Sequence, residues 1–152
     1  MKDISVRQMG EGDIAAAMNI NRVILRRRAS PSWKKMAESS IRNHPKECLV
    51  AVHGSDVIGF ILGEVKEYGF GAEKSGWIEV LGVHPRFMGL GVGKLLGRKL
   101  LSLFKKTGVA SIFTAVQWDS GDLLAFFRSI GFKRSAFIIL ENGFARSRKK
   151  GV

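Results

Sequence analysis

Residues 83–96 read VHPRFMGLGVGKLL, with glycines at 89, 91 and 93 and a lysine at 94. Alternate glycines let a backbone approach another group closely and permit positive φ. If a helix starts at this point, its first-turn N–H groups lack intrahelical partners and its dipole adds partial positive charge. Such an opening suits phosphate oxygens, and Arg86, Lys94 and Arg98 stand nearby in the chain. Just upstream, Glu79 is an acid inside the otherwise apolar run WIEVLGV (77–83). Desolvation raises the pKa of such a carboxyl and suits it to general-base work. The competing reading of the glycines is a turn that packs helix on sheet without a ligand. The competing reading of Glu79 is a solvent-facing acid or a partner for a nearby lysine.

Two familiar phosphate motifs fail on spacing. The nucleotide P-loop needs a glycine, four residues and then Gly-Lys-Ser/Thr; here Gly93-Lys94 is followed by Leu95, and Met88 stands where the first glycine belongs. The dinucleotide fingerprint needs glycine at positions one, three and six. Counting from Gly89 the sixth residue is Lys94, and from Gly91 it is Leu96.

The elements that must position these residues follow from periodicity. Alternation predicts a strand over 4–9. Asp13 is placed to cap a helix with Ile14, Ala17, Met18, Ile24 and Leu25 on its apolar side. Ser30-Pro31 predicts a second helix start, with Trp33, Met36, Ala37 and Ile41 inward and His44-Pro45 as its stop. CLVAV (48–52) and VIGFILGEV (57–65) flank HGSD and read as a hairpin. A strand over 77–83, a helix over 94–106 ended by Gly108, a strand over 110–118, a helix over 122–130 and a last strand over 136–141 complete the order. In the helix over 122–130, Leu123, Phe126, Phe127 and Ile130 are expected inward. That order predicts an α/β chain of the mixed-sheet, α+β kind, with helices packed on the sheet. Residues 1–145 read as one domain and 146–152 as a basic C-terminal tail.

Val83, Pro85, Phe87, Gly89, Gly91, Gly93 and the leucines that follow resemble motif A of the GNAT superfamily, the acyl-CoA-dependent N-acyltransferases. SIGFK (129–133) is similar to that family's closing Gly-Phe signature. The resemblance implies a GNAT fold: a mixed six- or seven-stranded sheet, helices on both faces, and parallel, splayed fourth and fifth strands. It implies acetyl-CoA as cosubstrate and a primary amine, of a protein, a peptide or a small molecule, as acceptor. It implies that Leu81, Gly82 and Val83 pair with the pantetheine arm, and that the loop of Met88, Gly89, Leu90, Gly91, Val92, Gly93 and Lys94 holds the pyrophosphate. Glu79 is the expected general base. The family's usual asparagine and tyrosine on the last helix correspond to Ser120 and Phe127, which lacks a hydroxyl. The lone tyrosine, Tyr68, is then the remaining candidate acid, and water is the alternative, because a thiol titrating near about 8.5 is a tolerable leaving group. Met88 stands where the family has Arg or Gln.

Composition is that of an ordinary globular chain: 152 residues, 45% apolar and 25% charged. The single cysteine, Cys48, excludes an internal disulfide and reads as a buried hydrophobe. No signal-peptide pattern or membrane-length apolar run is present, so a cytoplasmic location is expected. His44, His53 and His84 have no metal-ligand spacing, and no metal is expected. The net charge of +12 admits anionic partners and disfavours a polycationic acceptor. Trp33, Met36, Tyr68, Phe70 and Trp118 are the aromatic and apolar candidates for the acceptor side. Two rival functions remain: an acyl-CoA-binding sensor without turnover, and a basic nucleic-acid-binding protein. The second shows no helix-turn-helix, zinc or aromatic-basic motif. With one clear strand after SIGFK, the sheet is short, and a homodimer that completes its edge is expected.

Overall fold

The computed structural model describes residues 3–68 and 73–144. Its elements are β1 (Ile4–Gln8), α1 (Ile14–Leu25), α2 (Pro31–Asn43), β2 (Cys48–His53), β3 (Asp56–Lys66), β4 (Ser75–Val83), α3 (Val92–Lys106), β5 (Ser111–Thr114) and α4 (Gly121–Ser129). The five strands form one sheet in sequence order. The β1–β2, β2–β3 and β3–β4 pairs are antiparallel, and β4–β5 is parallel. The expected mixed sheet with helices on both faces is therefore present.

Each face of the sheet carries its own core. Ile14, Ala17 and Ile20 of α1 and Ala37 and Ile41 of α2 pack with Val50, Phe60 and Leu62 on one side. Val92, Leu96, Leu100 and Phe104 of α3 pack with Phe127, Leu49, Ile61 and Ile78 on the other. Strands covered on both faces read as continuous apolar runs, which is why Cys48–Val52 is buried throughout. Cys48 is fully buried, and its thiol is pushed up to about 11, chiefly by desolvation.

Several boundaries differ from expectation. Asp13 begins α1 but makes no side-chain cap. Its carboxylate instead accepts from the Gly10 N–H at 2.8 Å and from the Arg7 guanidinium at 2.8 and 2.9 Å, which holds its pKa below the ordinary range, the Arg7 hydrogen bonds contributing most. Helix α3 starts at Val92, inside the glycine loop, rather than at Lys94. Leu123 is 44% exposed rather than inward. Strand β5 covers only Ser111–Thr114 of the expected 110–118. No strand is assigned over 136–141, and the strands among the described residues number five. The tail, 146–152, and Phe70 lie outside the described residues.

Candidate active site

The register between β3 and β4 jumps at one place. Leu62 faces Val80 and Gly63 faces Ile78, which leaves Glu79 as an extra residue on β4. A bulge of this kind interrupts the two-residue alternation of faces. Gly76 and Ile78 face α3, where a Cβ on Gly76 would meet the Phe104 ring at 2.9 Å. Past the bulge it is Leu81 and Val83 that face α3, while Val80 faces α1 and α2. Trp77 and Leu81 thus stand on opposite faces, although simple alternation puts them with Glu79 on one.

The ladder to β5 stops at the same place. Its rungs run from Ser75–Ser111 to Ile78–Thr114, and the Thr114 hydroxyl donates to the Ile78 carbonyl at 3.0 Å. Beyond Glu79, β4 continues along β3 only, so the two parallel strands part. The His84 N–H donates to the Ile58 carbonyl of β3 at 2.8 Å. Main-chain groups alternate sides along a strand, so those of Gly82 and Val80 also turn to β3, and those of Leu81 and Val83 turn into the opening. The missing side chain of Gly82 has a packing reason: a Cβ there would meet the buried Phe60 ring at 2.7 Å.

From β4 the chain enters a tight turn, Pro85–Phe87, capped by His84, whose Nδ1 accepts from the Arg86 N–H at 3.1 Å. Gly89 and Gly91 have φ of +79° and +87° with open space around them, a conformation that costs other residues about 1–2 kcal/mol. Gly91 is the N-cap of α3, and the Leu95 N–H closes the first turn on the Gly91 carbonyl at 3.0 Å. The N–H groups of Val92, Gly93 and Lys94 precede that bond, so they have no intrahelical acceptor. Met88, Gly89, Leu90, Gly91 and Lys94 are exposed around them. Gly93 does different work: its Cα lets Phe126 of α4 approach, with a Cβ position 3.2 Å from the ring. The alternate glycines therefore split between loop conformation and helix packing. An open strand edge leading to free amides and exposed Lys94, Arg98 and Arg86 fits an extended ligand that ends in a pyrophosphate.

Glu79 lies where the strands part, with its side chain at the surface. Its pKa is raised, first by desolvation, then by a shared hydrogen bond with Glu64 and by that residue's charge; Lys66 and His44 pull the other way. Glu64 and Lys66 belong to β3, and the Lys66 ammonium sits 4.8 Å from the centre of the Trp77 ring. Sequence reading missed Glu64, Lys66 and His44 as neighbours of Glu79. The β3–β4 register that brings the first two there depends on a bulge that no residue type announces.

The other candidates lie elsewhere. Tyr68 is 82% exposed past the Ser75 end of the β3–β4 ladder, away from the opening. Ser120 is the N-cap residue of α4, and its hydroxyl makes no cap bond. Phe127 is buried, with ring centroids of Phe126 and Phe132 at 5.1 and 5.2 Å. Trp33 packs edge-on against Phe60 at 5.7 Å, Met36 packs on the same core, and Trp118 is 87% exposed. Among the described residues there is no His/Cys/Asp/Glu group able to hold a metal, and no helix is long and apolar enough to cross a membrane.

The profile of the acetyltransferase (GNAT) family matches residues 14–132. The N-alpha-acetyltransferase RimI of Mycobacterium tuberculosis is 39% identical over 57 residues, which are 38% of this chain and 34% of that protein. The chain thus spans about a third of the length of that curated relative. Ard1 from Thermoplasma volcanium superimposes with a TM-score of 0.76 at 23% identity, covering 88% of this chain and 85% of that one. Arabidopsis thaliana Naa50, solved with the bisubstrate analogue CoA-Ac-MVNAL, gives a TM-score of 0.70 at 18% identity with the same coverages, 88% and 85%. The two structural likenesses concern the fold.

Proposed function

The chain belongs to the acetyltransferase (GNAT) family, and from that premise we propose that it moves an acetyl group from acetyl-CoA to a primary amine by direct attack in a ternary complex. The observation that carries this reading is the end of the β4–β5 ladder at Ile78–Thr114, beside the bulged Glu79. It leaves an open edge that leads to the free amides of α3. The catalytic unit in this reading is the single domain 1–145, with 146–152 as a basic tail.

Acetyl-CoA would supply an acyl group activated as a thioester. The amides around Gly89–Lys94 would hold its pyrophosphate, with Lys94 and Arg98 as counter-charges, and the main-chain groups of Leu81 and Val83 would pair with the pantetheine arm. The acceptor would approach Glu79. Its nitrogen forms the bond to the acetyl carbon, the carbon–sulfur bond breaks, and the Glu79 carboxylate takes the amine proton. A raised pKa makes that carboxylate a better base. The departing thiolate takes its proton from water, since Tyr68 lies past the far end of the ladder and Phe127 has no hydroxyl.

A peptide or protein amine is the favoured acceptor class. RimI, described as an N-alpha-acetyltransferase, and the peptide analogue bound to Naa50 support it, and a net charge of +12 opposes polycationic small molecules. A homodimer belongs to the same proposal, because β5 is the last strand of the sheet among the described residues. The test is release of free CoA from acetyl-CoA with a panel of peptides and small amines, run beside calorimetry with CoA. Turnover with any member supports the enzyme. Tight coenzyme binding with no product from any acceptor supports a sensor instead. Salt-sensitive retention on DNA or RNA that CoA leaves unchanged, with no coenzyme heat, supports a nucleic-acid-binding protein.

A further inference from the structure

Arg26, Arg27 and Arg28 follow one another in the turn between α1 and α2. All three are exposed. No acidic residue occurs between Asp13 and Glu38, and among the described residues none of the three guanidinium groups has an ion-pair partner. Adjacent like charges repel, so the run does nothing for the fold. Compensation of the helix dipole does not account for it either: the cation in the last turn of α1 is Arg22, and the three arginines lie past the helix end. Arg26 also holds an uncommon backbone, with φ of +56° at the C-terminal cap of α1, where glycine is the usual residue. A side chain kept where it strains the backbone points to a use for that side chain.

The turn has a fixed place. Before it, Ile24 packs over Gly82 of β4, with its Cδ1 3.5 Å from the Cβ position there. After it, Trp33 packs edge-on against Phe60, and Phe60 is the register partner of Gly82. Both ends of the turn are thus pinned above one rung of the sheet, on the face that α1 and α2 cover. Gly82 stands between Leu81 and Val83, whose main-chain groups turn into the opening. It lies about 10 Å along the strand from Glu79. The arginines therefore border the candidate site, within reach of the second to fourth residues of an extended chain whose amine meets Glu79.

Three unpaired guanidinium groups suit carboxylates and phosphates, which they bind in a planar fork. The site itself needs an amine. An acidic peptide offers both, whereas a nucleic acid offers the anions without an aliphatic amine to acetylate. We propose that Arg26, Arg27 and Arg28 select an acidic acceptor: a peptide or protein chain whose residues next to the reacting amine carry carboxylates that pair with this turn. This rests on the acetyltransferase reading above and names its substrate class.

The test uses the full chain and peptides that share their first residue and differ only at positions two to four, which are all Glu, all Gln or all Lys. Binding is read by anisotropy of a C-terminal label in saturating CoA, and turnover by release of CoA from acetyl-CoA. The Glu peptide is expected to exceed the Gln peptide at least about tenfold in affinity and in kcat/KM. The margin should shrink as salt rises from about 50 to 500 mM. Arg27→Glu with Arg28→Glu should reverse the order in favour of the Lys peptide. Lys105→Glu with Lys106→Glu makes the same charge change at the far end of α3 and should leave the order as it was. Equal affinity for the Glu and Gln peptides overturns the proposal, and so does an equal loss in both double variants. If the arginine variant weakens CoA binding itself about tenfold, the turn serves the coenzyme and the proposal falls. If an RNA oligonucleotide of matched charge binds the turn more tightly than the Glu peptide, the occupant is a nucleic acid and the proposal falls. Preference for the Glu peptide in binding, with no product from any peptide, supports the arginine surface and counts against the acetyltransferase reading alone.

Discussion

Ile78 and Thr114 form the last rung between β4 and β5, and the Thr114 hydroxyl donates to the Ile78 carbonyl at 3.0 Å. One residue later Glu79 bulges and the strands part. The bond clamps the point where the opening begins, on the side away from β3. Thr114→Val keeps the shape and removes the donor. Its expected cost is about 1 kcal/mol in chemical denaturation. Because the clamp also sets the width of the opening, CoA affinity should fall about threefold in calorimetry. Unchanged affinity would place the coenzyme elsewhere.

The environment of Glu79 predicts how rate depends on pH. Glu79 works as a base only when ionised, so kcat/KM should fall as pH drops through its raised pKa. Glu64 raises that pKa and Lys66 lowers it. Glu64→Gln should therefore move the acidic limb to lower pH, and Lys66→Ala should move it to higher pH. Glu79→Gln should lower kcat by about 10²–10⁴-fold. A pH–rate profile of the three variants checks this, and a limb that ignores both neighbours would remove Glu79 as the base.

The same shift has a consequence for stability. A carboxyl whose folded pKa is raised favours the fold in its neutral form. That contribution is fully present below the unfolded value of about 4.3 and is lost as pH rises through the folded value. Above its raised pKa the ionised Glu79 therefore opposes folding. Glu79→Gln should raise the melting temperature at pH 7 and leave it nearly unchanged at pH 4, opposite to its effect on turnover. A lower melting temperature at pH 7 would show that the carboxylate holds the bulge together.

Much of the fold was legible because its signals are local. The hairpin turn at Gly54, the Ser30-Pro31 start of α2 and the Gly108 stop of α3 each follow from one or two residues. What was not legible depends on relationships between distant segments. The faces of Trp77 and Leu81 on either side of Glu79 were not legible, because alternation assumes an unbroken strand and the bulge is decided by the partner register of β3. Strand β5 is shorter than the apolar run that suggested it, since a ladder needs a partner and β4 turns away after Ile78. The glycine loop was legible in position and only half so in cause: Gly89 and Gly91 adopt positive φ, whereas Gly93 is small for Phe126.

Cys48 gives a simple check on the core between helices and sheet. It is fully buried, its Sγ donates to the His44 carbonyl at 3.4 Å, and its thiol is pushed up to about 11. The thiolate is the reactive form. At pH 8 the folded protein should show no reaction with an aromatic disulfide reagent over an hour, and one equivalent in 6 M guanidinium. Rapid reaction of the folded chain would mean that α2 opens from the sheet.

The glycines of the candidate site should separate into two kinds under substitution by alanine. At Gly82 a Cβ would lie 2.7 Å from a ring carbon of Phe60, which is fully buried and packed by Trp33. Neither the ring nor the strand can move freely, so Gly82→Ala should destabilise by about 1–3 kcal/mol through overpacking. At Gly91 a Cβ meets nothing within 4 Å, and the difficulty is the φ of +87°. The exposed loop can relax toward negative φ, so Gly91→Ala should cost stability no more than about 1–2 kcal/mol. Relaxation turns the first-turn amides of α3 away from a common point, and CoA affinity should fall at least about tenfold. Denaturation and calorimetry on the two variants should therefore rank them in opposite order. If Gly91→Ala bound CoA as tightly as the unmodified chain, the helix opening would not be where the pyrophosphate sits.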